Sequence, residues 1–199
     1  MSTSSPDGGY HHGNLREALV AAALERLQAE GPSALGLREL ARGVGVSPSA
    51  PYRHFSDRQA LLEAVATEGF RRFSASMSEA AAGLPDTEQL EAMARAYVRF
   101  AVTSPHLFRL MFSAEIEHRR DPALAAAAKA AYASLAAAAA REDAASPAKV
   151  AITAWAFVHG LSVLLIDQQI LGVSAGGADT LVEQLAHRLI AGLRATRAL

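Results

Sequence analysis

Residues Val44–Leu62 read VGVSPSAPYRHFSDRQALL, and the fold turns on how this stretch is read. It carries two prolines, Pro48 and Pro51, inside what the surrounding pattern marks as a short helix. Ser47 suits an N-cap, which puts Pro48 at the first helical position, where the N–H that proline lacks would have no intrahelical partner. Pro51 then falls at the fourth position. It removes only the first intrahelical bond, to the Ser47 carbonyl, and not an interior bond worth about 3 kcal/mol. Both prolines therefore fit a helix that starts at Ser47 and ends near Phe55, with a tight or 3₁₀-like first turn.

Upstream, Leu15, Leu19, Ala23 and Leu27 recur every four residues, which predicts a first helix from Asn14, its N-cap, to Glu30, stopped by Gly31-Pro32. Leu37, Leu40, Ala41 and Val44 predict a second helix over Leu37–Val44, closed by Gly45 as a left-handed C-cap residue. Downstream, Ser56 or Asp57 caps a long helix to about Ala82, with Leu62, Val65, Ala66, Phe70, Phe73 and Met77 facing inward. Further helices are expected over Thr87–Thr103, Pro105–Phe112, Pro122–Arg141, Pro147 to about Ile170, and Asp179 to about Thr196. The last carries Leu181, Leu185, Leu189 and Leu193 on one stripe. Gly172–Gly177 reads as a flexible turn.

Composition agrees. Of 199 residues, 51% are hydrophobic but only 6% aromatic, so much of the apolar content is alanine, which favours helix. No run alternates in the manner of a strand. The reading is an all-α protein of about nine helices in three parts: a tail over 1–13, a three-helix head over 14–60, and a larger helical region over 61–199.

A formal charge of -1 gives no global attraction to nucleic acid. Between Ser33 and Arg58, however, Arg38, Arg42, Arg53 and Arg58 outnumber Glu39 and Asp57. Without cysteine, disulfides, thiol nucleophiles and thiolate metal sites are excluded. The N-terminus lacks the basic and apolar regions of a secretory signal. The uncharged run Val150–Ile166 falls short of the roughly 20 apolar residues that a membrane helix needs, and suits a helix buried on two sides.

Three short helices, the second and third joined by Gly45-Val46-Ser47, have the layout of a helix-turn-helix, whose second member enters the DNA major groove. Ser49, Tyr52, Arg53 and His54 form a polar set suited to phosphate and base-edge contacts, while small Ser49 and Ala50 allow close approach. From about Tyr10 to Phe70 the chain resembles the DNA-binding region of the TetR (tetracycline-repressor-like) family. The most specific part of the likeness is Ala41, Gly45, Val46, Ser47, Tyr52, Arg53, His54, Phe55, Arg58 and Leu61. The resemblance implies that Tyr52 and His54 touch the DNA backbone, that Arg58 binds a phosphate, and that Ser47 to Arg53, with Pro48, Ser49 and Ala50, include the base readers. Arg38 joins this DNA-binding set, and Phe55 and Leu40 would be core. Two positions depart from the family pattern: Gly36 stands where Thr or Ser often caps the second helix, and Pro51 stands where a bulky aliphatic is usual.

The remainder resembles the family's regulatory half through PHLFRLMF (Pro105–Phe112) and AWAFVHGL (Ala154–Leu161), in the manner of a subgroup with a Trp and a His-Gly pair. This implies a ligand cavity walled by the fifth to eighth helices and a homodimer through the last two. The candidate ligand residues are Trp155 and His159, four apart on one face, with Tyr97, Phe100, Phe108, Met111 and Phe112. Each of these also suits plain core.

His11 and His12 suit a solvated tail or an arm touching the DNA backbone, without the further ligands that a metal site needs. Glu115, Glu117, His118 and Asp121 read as a solvated loop. No phosphate loop, nucleophile elbow or paired-His zinc pattern is present, so neither catalysis nor a cofactor is expected. The function expected is a cytoplasmic, homodimeric repressor that binds a palindromic double-stranded DNA operator and is released by a small molecule. A helical interaction module that has lost specific DNA binding is the alternative.

Overall fold

The computed structural model describes residues 15–117, 121–142, 146–170 and 178–196. The tail with His11 and His12, the cap at Asn14, His118 and the Gly172–Gly177 turn lie outside them. Among the described residues there are eight α-helices and no strand: α1 (Leu15–Glu30), α2 (Leu37–Gly43), α3 (Arg58–Ala81), α4 (Asp86–Thr103), α5 (Pro105–Met111), α6 (Pro122–Glu142), α7 (Pro147–Ile166) and α8 (Ala178–Thr196). Short 3₁₀ segments occupy Pro32–Ala34 and Ala50–Arg53.

The chain forms two compact units, Met1–Leu62 and Glu63–Leu199. In the first, α1 packs on α2 and on both 3₁₀ segments. Leu19, Ala23 and Leu27 of α1 are fully buried with Leu35, Ala41 and Leu61, and Leu40 and Phe55 nearly so. In the second, α4 packs against α5, α6, α7 and α8, and α6 packs on α7. Gly69 allows close approach between α3 and α5: a Cβ there would lie 2.8 Å from Met111 Sδ and 2.9 Å from Leu107 Cδ1.

Helix ends follow the capping chemistry of the sequence. Gly45 has φ 74°, and α2 closes with Gly45 N–H donating to Arg42 and Val46 N–H to Ala41, the two bonds of a Schellman motif. Asp57 caps α3 by accepting from Ala60 N–H at 2.9 Å. Asp121, expected only in a loop, caps α6 by accepting from the N–H groups of Ala123 and Leu124. Gly36 at the start of α2 makes no side-chain cap, and the Glu39 carboxylate folds over it where a Cβ would stand.

Two expectations are corrected. Helix α7 ends at Ile166, not Ile170, because Gln168 takes a left-handed φ of 55° and completes its own Schellman closure, with Gln169 N–H donating to Leu164. And Ser47–Phe55 is not an α-helix but a turn and one 3₁₀ segment. The cause is Pro51. With no N–H on residue 51, the Ser47 carbonyl accepts from Ala50 at 3.0 Å, and Tyr52 N–H goes to Ser49 at 3.3 Å, so i→i−3 bonding replaces the α pattern. Only at Phe55 N–H, which reaches Pro51 at 3.0 Å, does an α-type bond form.

Helix α7 is apolar on two sides, as expected. Val150, Ala151, Ala154, Val158 and Leu161 are buried, while Ile152 (57%) and Leu164 (46%) remain open. By length and composition α6 and α7 are apolar enough to cross a membrane, but both are packed members of the second unit.

Candidate functional site

The reading turn presents one polar face. Pro51 and Phe55 point into the core of the first unit, and Arg16 stacks its guanidinium over the Phe55 ring at 5.4 Å. That anchoring leaves Ser47, Pro48, Ser49, Tyr52, Arg53 and His54 exposed, with Tyr52 at 48%, and Ala50 half-buried between them. Ser47 and Ser49 share a hydroxyl hydrogen bond at 3.3 Å. On α2, Arg38 is exposed beside Arg42, which pairs with Glu39 at 3.5 Å. Surface of this kind can meet phosphates through Arg38, Arg53 and His54 and base edges through Ser49 and Arg53.

Arg58, for which the resemblance implies a phosphate contact, is exposed at the start of α3 with part of its guanidinium engaged within the protein. Its Nε donates to the Leu35 carbonyl at 3.1 Å and its Nη2 to the Pro32 carbonyl at 2.7 Å. The guanidinium thus straps the first turn of α3 to the segment that leads into α2. The shape of a fork, with donors fixed in a plane, is what lets one side chain hold two carbonyls.

The second unit contains an apolar cavity of about 410 Å³. Phe70, Phe73 and Met77 of α3 line it together with Tyr97 of α4, Phe112 after α5, Trp155 of α7, and Ala128, Ala131, Tyr132 and Leu135 of α6. Tyr97, Phe112 and Trp155 are the expected wall residues that do line it. Phe100, Phe108, Met111 and His159, expected beside them, stand behind the wall: Phe108 and Met111 are buried in the core, and Phe100 packs on Phe73 with centroids 5.1 Å apart. The α3 residues read from sequence only as core. Helix α6 is the seventh helix of the sequence reading and an expected wall, but none of its residues is named there, although 128, 131, 132 and 135 follow the i, i+3, i+4, i+7 rule of one helical face.

Behind the wall, the Tyr97 hydroxyl and His159 Nδ1 are 2.9 Å apart. Burial pushes the Tyr97 pKa above the ordinary tyrosine range, with a hydrogen bond from the Trp155 side chain opposing it, and burial lowers that of His159. Burial thus favours the neutral imidazole, and the Tyr97 hydroxyl and His159 Nδ1 share one hydrogen bond. Rings of Phe108 and Phe112 flank it at 5.4 and 4.8 Å.

Residues 19–65 match the family described as bacterial regulatory proteins, tetR family, and residues 90–189, half of the chain, match the tetracyclin repressor-like C-terminal domain. The chain belongs to the TetR family of transcriptional regulators. A solved protein of unknown function from Rhodococcus sp. RHA1 is similar over nearly the whole regulator: 32% identity, TM-score 0.82, covering 94% of this chain and 100% of that one. An uncharacterized HTH-type transcriptional regulator of Haemophilus influenzae is 52% identical over 56 residues, 27% of either chain. The TetR-family regulator PfmR from Thermus thermophilus shares the fold at 18% identity, with a TM-score of 0.60 over 87% of this chain and 97% of that one. Regulators of this family bind DNA operators and usually act as dimers with small-molecule effectors; they are not enzymes.

Proposed function

We propose that this regulator is a cytoplasmic homodimeric repressor. It would bind a two-fold related operator through Ser47–His54 and Arg38, and an effector in the 410 Å³ cavity would lower its affinity for that operator. The observation that carries the reading is the division of the reading turn, with Pro51 and Phe55 buried and Ser49, Tyr52, Arg53 and His54 turned outward. Dimerisation has its own support. Ile152, Val163 and Leu164 on α7, and half-exposed Leu181, Leu185 and Leu189 on α8, form apolar faces that a second copy can cover as a four-helix bundle. Two copies related by a two-fold axis match a palindromic site.

Effector action is linkage. A ligand weakens DNA binding only to the extent that it prefers the conformation that DNA disfavours. Helix α3 is the covalent route for that preference, since its first residues belong to the head and Phe70, Phe73 and Met77 line the cavity.

Selection of random duplex DNA against the purified protein, followed by affinity across a salt series, tests the reading. A palindromic consensus whose affinity falls steeply with salt supports it. The absence of any consensus in a folded dimer supports the interaction module instead, a reading favoured by the shortness of the reading segment, a single 3₁₀ turn.

A further inference from the structure

The composition of the cavity wall goes further than the presence of a cavity. Among the described residues, those that line it include no aspartate, glutamate, lysine, arginine or histidine. Lys129, the one lysine on α6, is exposed and takes no part in the wall. The Tyr97 hydroxyl on the wall is already engaged, for it is hydrogen-bonded to His159 and has the Trp155 indole as its other polar neighbour. Tyr132 and Trp155, in edge-to-face contact at 5.7 Å, are the lining residues most open to solvent, each 39% exposed, and so mark the mouth.

We infer that the cavity takes an uncharged ligand with an aromatic or acyl body, whose single weakly polar end (a hydroxyl, ester or ketone) lies at Tyr132 and Trp155. The inference rests on the proposed reading of this cavity as the effector site. A carboxylate or ammonium drawn inside would lose its hydration and meet no counter-charge, which heavily disfavours it. An apolar body loses nothing and gains contact with Phe70, Phe73, Met77 and Leu135. The volume is at the lower end of small-molecule sites, about 300–1,000 Å³, which favours a compact ligand over an extended one.

Trp155 is the single tryptophan of the chain, so its emission reports this wall alone. The experiment titrates the full-length regulator with phenylbutanol, phenylbutanoate and phenylbutylammonium, which share one body and differ in charge. Trp155 emission is followed and isothermal calorimetry gives the affinities. The alcohol is expected to change the emission and to bind about tenfold or more tightly than either ion. In Ala128→Phe, which fills the wall from a half-buried position, its binding should be lost while helicity is unchanged. Equal or tighter binding of the acid, with Lys129 as its partner, would overturn the inference; so would tighter binding of the amine, or failure of all three ligands to change Trp155 emission. Operator affinity is measured separately. If the alcohol binds at Trp155 without changing operator affinity, the ligand class stands and the effector reading falls.

Discussion

Arg58 illustrates how one side chain can be assigned two jobs from its position alone. A cation at the start of the helix after the reading turn invites a phosphate contact, yet two of its five N–H donors go to the carbonyls of Leu35 and Pro32. Charge-assisted bonds of this type contribute about 1.5–3 kcal/mol when sheltered, and less for a side chain as open as this one. Arg58→Lys keeps the charge but cannot hold both carbonyls. Chemical denaturation is therefore expected to show it destabilised by roughly 1 kcal/mol, close to Arg58→Ala. Both variants should bind operator DNA more weakly with the salt slope unchanged. A slope lower by about one unit in Arg58→Ala, and restored in Arg58→Lys, would return the residue to the phosphate contacts.

At the level of single elements, Pro51 governs the reading segment and Gly69 governs the seat of α3. Pro51→Ala restores a donor for the Ser47 carbonyl and so allows α-type winding from Ser47 onward. The rise per residue then falls from about 2.0 to 1.5 Å, which shifts Ser49, Tyr52 and Arg53 relative to one another. The expected result is a changed base preference in DNA selection, worth about 1–3 kcal/mol at each altered position, with the dimer intact. An unchanged consensus would mean that the 3₁₀ winding does not set base choice. Gly69→Ala places a methyl against Met111 and Leu107, both buried, in a core without room for it. A loss of about 1–3 kcal/mol is expected in thermal or denaturant unfolding. A neutral result would show that the Met111 thioether swings aside at no cost.

For the whole molecule, the decisive question is what covers α7 and α8. Val182, Ala186 and Ile190 already bury one stripe of α8 inside the subunit, whereas Leu185 is only half-buried on the neighbouring stripe. Leu185→Asp therefore tests association with little disturbance of the subunit core. Light scattering should show monomers, helicity should be retained, and operator affinity should collapse, because a single head binds one half-site. Dimers that survive the substitution would place the interface elsewhere.

Much of this is legible in the order of residues, because local rules decide it. Gly45 and Asp57 mark helix boundaries through capping chemistry that involves only near neighbours, Pro147 marks the start of α7 through its fixed backbone, and the inward residues of α3 and α4 follow from helical period. Pro51 is recognisable as costing one bond, but how far that loss propagates depends on where the orphaned Ser47 carbonyl finds its next donor, and the Ala50 N–H takes it. Gln168, with no glycine to announce it, ends α7 early for the same kind of reason. The cavity is the least legible feature. Tyr97, Phe112 and Trp155 are recognisable as wall residues, yet their neighbours Phe108 and Met111, of the same type and spacing, are solid core. Periodicity tells which side of a helix faces inward; whether that side meets atoms or empty space is settled only by the packing of α3, α4, α6 and α7 together, to which each sequence segment is blind.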